Sequence, residues 1–497
     1  MNNIIALKKL VSKLNNTEIN LLRKQIENNN INSVEGKSVQ LLKLLIRKEP
    51  LTSVEIQKII YGKLNYLAFN KLCNRFKDSI HDVLLMDNSI RTSGYSKRNT
   101  LLFDLRKKVI QADIIQLRGI NEDVLSIYNS IITKSALFEF YDILIQALNS
   151  KLRFVSSFGK KNVIENIKNE ITQVEVNWLA LNQTQRIYQS IINTISRHSE
   201  FHFYSEDLNN TILIIKDNFN RTKSSLIKYY LLNLEIEQAQ ILHRYSDSNI
   251  LLMELQKLIK ENESVYTDNR YGTVLLNISN NNLLLKQFDS AIEYAENSRK
   301  YFKGIYLTQK IVDEILFYSN FYKNELLECE KYIIFNSSFN LNESTEVLFS
   351  KFNYYKACLE FKKGNYFKCI DILNAHKEIE KDKEGWNINR RILIILSRIE
   401  LGEFDSLDLS LSNMTKYLNR LAKTNFLNPR FAIILKICMV IVRENLDINR
   451  IEKKKKLILK YLEVMKKEDM KWQIKSPELI NFEDWIAAKF VIKSRLN

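Results

Sequence analysis

The sequence predicts an all-α chain in which antiparallel helix pairs stack behind a small basic helical region. Three observations carry this. Glycine and proline number only 10 and 3 in 497 residues, far below the roughly 7% and 5% of ordinary proteins, so the turns that strands require are scarce. Apolar residues return at intervals of three and four over most of the chain, the spacing of one helical face. A short element centred on an aromatic residue or leucine recurs at positions 288, 326, 366 and 404, in steps of 38, 40 and 38 residues.

In chain order, residues 4–29 read as two short helices and 38–48 as a third, ended by Pro50. Thr52-Ser53-Val54-Glu55 has the form of a capping box and opens a short helix that stops near Gly62. A longer helix over 64–86 sets Phe69, Leu72, Cys73, Phe76, Ile80, Val83 and Leu84 on one face, with Asn70, Lys71, Asn74, Arg75 and Lys77 opposite. A polar loop over 88–99 follows, then a basic helix through Arg106, Lys107 and Lys108 that ends near Gly119. This order over residues 38–100 resembles a helix-turn-helix or winged-helix unit, although the loop carries no two-strand wing. Long amphipathic helices are expected at 138–150, 160–182, 183–198 and 224–245. Ser476-Pro477-Glu478 reads as the start of a last helix, with Pro at its first position. Phe482, Trp485, Ile486 and Phe490 are expected to cap the apolar face of the final hairpin.

The recurring element is clearest in Glu360-Phe-Lys-Lys-Gly364-Asn365-Tyr366-Phe-Lys-Cys369-Ile370, and returns around Phe288, Leu326 and Phe404. Small residues Ala291, Cys329 and Cys369 follow three positions after the aromatic or leucine, and Ser279 and Ala357 match on the preceding helix. These residues resemble the inter-helix turn of the tetratricopeptide repeat (TPR). The resemblance implies a right-handed superhelix of antiparallel hairpins, a TPR-like α-solenoid, over about 270–420. The chain departs from the family in its longer step, its missing second-helix proline and Leu407 in a small-residue position. The domains expected are a basic region at 1–120, irregular hairpins at 121–270, TPR-like repeats at 271–420 and capping helices at 421–497.

The net charge is +17, and residues 1–120 hold 21 basic and 10 acidic residues, so they carry +11 of it. Such asymmetry points the first region toward an acidic partner. The five cysteines show no paired spacing and fit small core residues in a reducing compartment. With no signal-like leader and no spanning apolar run, a cytoplasmic location is expected. A looser likeness to helical repeat proteins of AT-rich bacteria implies a bacterial source.

No catalytic pattern emerges. Ser157-Phe158-Gly159-Lys160-Lys161 lacks the leading Gly and the Ser/Thr of a P-loop, and His198 and His202 lack a placed third ligand. The expectation is a non-enzyme without cofactor or metal, a scaffold or regulator that binds a protein or peptide. By the family's geometry its groove is lined by Leu276, Asn280, Leu283, Tyr354, Phe361, Ile392 and Leu396. The competing reading of these residues is packing inside the stack. The alternative function is a nucleic-acid-binding regulator that reads through Lys71, Arg75, Lys77, Arg91, Lys97, Arg98 and Arg106, with the repeats as sensor.

Overall fold

The computed structural model describes residues 2–28, 36–47, 51–86, 96–120, 123–156, 159–197, 205–334, 343–379, 382, 385–422, 428–445, 447–467 and 470–489. Among them every regular element is a helix. The chain divides into two compact units, Met1–Asp104 and Leu105–Asn497. The division falls inside a helix, ahead of the boundary expected near 120.

The first unit holds α1 (Asn2–Val11), α2 (Asn16–Asn28), α3 (Lys37–Ile46), α4 (Ser53–Tyr61), α5 (Tyr66–Met86) and the start of α6 (Lys97–Leu117). The capping box forms as the sequence suggests: Thr52 N donates to Glu55 Oε2 at 2.7 Å, and Glu55 N donates to Thr52 Oγ1 at 3.3 Å. Gly62 closes α4 at φ +73°, a left-handed angle that glycine adopts without Cβ strain. Helix α5 buries Phe69, Leu72, Cys73, Phe76, Ile80 and Val83 against α1–α4. Each such side chain contributes roughly 1.5–3 kcal/mol on burial. Leu84, expected on the same face, is instead exposed, because the 3.6-residue period carries it past the seam.

In the second unit each helix packs chiefly on its neighbours in sequence. The order is α7 (Val124–Leu137), α8 (Tyr141–Val155), α9 (Lys161–Arg197), α10 (Ser205–Thr222), α11 (Ser225–Ile241), α12 (Tyr245–Glu261), α13 (Asp268–Leu284) and α14 (Phe288–Arg299). It continues with α15 (Tyr306–Lys323), α16 (Leu326–Tyr332), α17 (Glu343–Lys362), α18 (Tyr366–Ala375), α19 (Trp386–Leu401) and α20 (Phe404–Ala422). Last come α21 (Pro429–Arg443), α22 (Ile448–Lys453), α23 (Lys455–Met465) and α24 (Phe482–Lys489). The two helices expected over 160–198 are one, α9, since no breaker residue interrupts them. The final helix starts at Phe482 rather than beside Pro477: Asn481 supplies the cap, and Pro477 sits in a bend ahead of it.

The recurring element is one turn used repeatedly. Phe288, Leu326, Tyr366 and Phe404 each begin the second helix of a hairpin. Two residues earlier the backbone is left-handed, at Lys286 (φ 60°), Asn324 (66°), Gly364 (81°) and Gly402 (70°). The intervening N–H reaches back to the carbonyl five residues before it, as in Gln287 to Asn282 at 2.8 Å and Asn365 to Glu360 at 2.9 Å. This is a Schellman closure, which satisfies carbonyls that the helix end leaves open. The same turn occurs at Glu139, ahead of Tyr141, and at His243, ahead of Tyr245, so the repeat begins well before residue 270. Ala291, Cys329 and Cys369 are fully buried where the paired helices cross, and Ser279 Oγ donates to Ala291 O at 2.6 Å across the crossing.

Two expected results follow here. A methyl group on Gly402 meets nothing within 4 Å, so Gly402→Ala carries only the left-handed backbone penalty, about 1–2 kcal/mol. Lys286→Gly relieves the same penalty and raises the denaturant midpoint while Gly402→Ala lowers it, both read by circular dichroism. The second concerns the thiols. All five cysteines are buried. Burial pushes Cys73 up to about 11 and Cys329, Cys369 and Cys438 up to about 12. The folded chain should give no rapid reaction with a thiol reagent at pH 8, and five equivalents in denaturant.

Candidate peptide-binding groove

Four first helices of the second unit, α13, α15, α19 and α21, meet one segment of the same chain, residues 470–489. Residues 471–481 form turns and bends rather than a helix, so their carbonyls need other donors. The array supplies several of them. Tyr322 Oη on α15 donates to Ile474 O at 3.0 Å and Leu479 O at 3.5 Å, and Arg430 Nη1 on α21 donates to Met470 O at 2.9 Å. Within the segment, Trp472 Nε1 donates to Glu478 O at 2.7 Å, and the indole stands edge-on to Tyr322 with ring centres 5.7 Å apart.

Charge fixes the register. Arg430, 4% exposed, grips Glu478, 5% exposed, through two parallel bonds of 2.7 Å, Nε to Oε2 and Nη2 to Oε1. Its Nη1 donates to Glu483 Oε1 at 2.9 Å, and its Nη2 also bonds Glu483. Burial alone would lower the Arg430 pKa, but the hydrogen bonds and charges of the two glutamates outweigh it and hold the guanidinium above its usual value. On α19, Glu400 accepts from Trp485 Nε1 at 2.7 Å and Lys489 Nζ at 2.6 Å. At the other end Lys475 Nζ donates to Asn280 Oδ1 on α13 at 2.7 Å, and burial lowers its pKa. The apolar side chains Ile474, Leu479, Phe482 and Ile486 are buried in the cluster that runs from Leu276 through the later hairpins. A cavity of about 320 Å³ remains beside them, lined by Asn389, Tyr417, Arg430, Trp472 and Glu478 among others.

The residues expected to line an open groove are placed accordingly. Leu276, Leu283, Tyr354, Phe361, Ile392 and Leu396 are all buried, in the same cluster as the segment's apolar side chains. None offers an open surface in this chain, because neighbouring helices and the segment cover that face. Asn280 remains half-exposed and binds Lys475. Phe482 and Ile486 lie on the array instead of closing only the final hairpin, and Phe490 lies outside the described residues. Sequence reasoning missed Arg430, Glu478, Glu483, Glu400 and Tyr322. The only local hint was a lone arginine opening the otherwise apolar run Phe431–Leu435.

The basic candidates do not converge in the same way. Lys71, Arg75 and Lys77 are exposed on α5, beside exposed Asn70 and Asn74. Lys97 and Arg98 open α6, while Arg106 belongs to the second unit and approaches Asp142 at 3.5 Å. Arg91, like Ser157, His198 and His202, lies outside the described residues. Among the described residues no cluster of His, Cys, Asp or Glu is arranged to hold a metal, and no helix is long and apolar enough to cross a membrane.

The second unit is an array of consecutive, mutually packed helical hairpins. No protein-family model matches the chain, and no curated protein matches it. Among solved structures it is similar to a Signal Transduction ATPase with Numerous Domains (STAND) protein with a tetratricopeptide repeat sensor, from Pyrococcus horikoshii. Identity is 12% over 94% of this chain and 66% of that one, with a TM-score of 0.27. The chain therefore spans slightly less than two thirds of that protein's length.

Proposed function

We propose that this chain is a non-catalytic interaction scaffold or regulator that docks a protein or peptide on the first-helix face of its repeat array. One observation carries the reading: that face already holds a twenty-residue segment in non-helical and short-helical form, gripped by side chains from α13, α15, α19 and α21. Helical repeats use such continuous faces to bind extended partners. The test is co-purification of the full chain from native lysate with and without nuclease, followed by cross-link mapping. Partners that survive nuclease and link to first helices support the reading. Partners that link only elsewhere overturn it.

A second reading, a nucleic-acid-binding regulator, rests on the exposed Asn70, Lys71, Asn74, Arg75 and Lys77 of α5, which follows the capped α4 as a recognition helix would. Duplex binding through this face would weaken with salt at a log–log slope of about −0.9 per phosphate contacted. Lys71→Ala with Arg75→Ala would flatten that slope. Binding that is absent or independent of salt would exclude the reading.

A further inference from the structure

The segment in the groove describes the partner that can replace it. Arg430 is a buried cation of the array, and removing the segment takes both of its carboxylates away. A buried charge without a counter-charge is strongly unfavourable, so a replacement that covers Arg430 again must bring acids to the same place. Glu400 needs donors, which here are an indole N–H and an ammonium. The Tyr322 hydroxyl binds backbone carbonyls, which any sequence on the same course supplies, while its ring favours an aromatic residue where Trp472 stands. Residues 471–481 form turns and bends rather than a helix, and a cavity lies beside Trp472, so this segment sits on the stack as a docked peptide rather than as a further hairpin of it.

We infer that residues 470–489 are an internal competitor, and that the groove's external ligand is a protein segment of the same chemistry. Such a segment carries an aromatic residue, a helix-breaking bend, two acids about five residues apart for Arg430, and an indole or cation beyond them for Glu400. This rests on the array face being the docking surface, as proposed above. Arg430 selects for the acids, and the chain's own segment raises the concentration that an outside segment needs.

The test uses the full chain with a protease site inserted between Lys467 and Met470, so that folding precedes cutting, and a fluorescent peptide of sequence 470–489. Cut chain should take up the peptide with exchange of its own segment, while uncut chain binds it about a hundredfold more weakly or not at all. A peptide with Glu478→Gln and Glu483→Gln should lose about a hundredfold in affinity for the cut chain. The uncut variant Trp485→Ala, Lys489→Ala should admit the peptide without cutting, with the array's helicity unchanged by circular dichroism. Equal uptake by cut and uncut chain would overturn the competition. Equal affinity of the acid-free peptide would overturn the selection by Arg430. Retention of the cut segment without exchange, until global unfolding, would show it to be a fixed part of the core and overturn the inference. That last result leaves a partner cross-linked elsewhere on the first helices as a separate question for the scaffold reading.

Discussion

Arg430→Ala should destabilise the second unit by about 3–5 kcal/mol, the usual result of removing one member of a buried ion pair. Glu478 would keep its carboxylate in an apolar setting with only the Phe482 N–H, at 3.1 Å, among the bonds described here. Glu483, nearer the surface, can turn to water. The loss should appear as a lower denaturant midpoint and as early proteolytic release of residues beyond Lys467. Arg430→Met combined with Glu478→Leu should recover much of it, because no buried charge remains unpaired. If the single variant were as stable as the parent, the grip on Glu478 would be peripheral rather than structural.

Phe317→Ala should remove a comparable amount, about 3–5 kcal/mol, by a different cause. Its ring is fully buried on α15, with the rings of Tyr355 at 5.1 Å, Phe321 at 5.5 Å and Tyr318 at 6.2 Å. The cavity would open where α15 meets α17, and repeat arrays transmit such damage mainly to adjacent hairpins. Hydrogen exchange should quicken in α15–α18 while α1–α5 keeps its protection. Uniform acceleration through both units would contradict this nearest-neighbour picture.

The hairpins were legible because their information is local. A left-handed residue, an aromatic two positions later and a small residue three beyond that lie within six positions of one another, as in Gly364, Tyr366 and Cys369. The turns at Glu139 and His243 lie outside the even step of 38–40 residues that marks the later copies, and Leu144 stands where the first of them would need a small residue. The groove's contents were not legible, for a reason of distance. Asn280 and Lys475 are 195 positions apart, and Tyr322 lies 152 positions from Ile474. Such pairs leave no periodic trace in one sequence. An apolar first-helix face is visible in the sequence, but composition cannot say whether a partner, a neighbour or the chain's own end covers it. Pro477 favours a helix start by itself, but here it sits in a bend and the helix begins only at Phe482.

Zero-length carbodiimide coupling of the unmodified chain, followed by peptide mass spectrometry, reports directly on whether the segment lies in the groove. Lys489 Nζ sits 2.6 Å from Glu400 Oε2, and the array's own pairs Lys323–Asp289 and Lys228–Glu254, at 2.6 and 2.7 Å, serve as internal standards. An intramolecular Lys489–Glu400 amide, formed alongside both standards at a concentration where the chain is monomeric, is the expected product. Formation of both standards with no Lys489–Glu400 link would place the C-terminal segment outside the array and leave the docking face without its observed occupant.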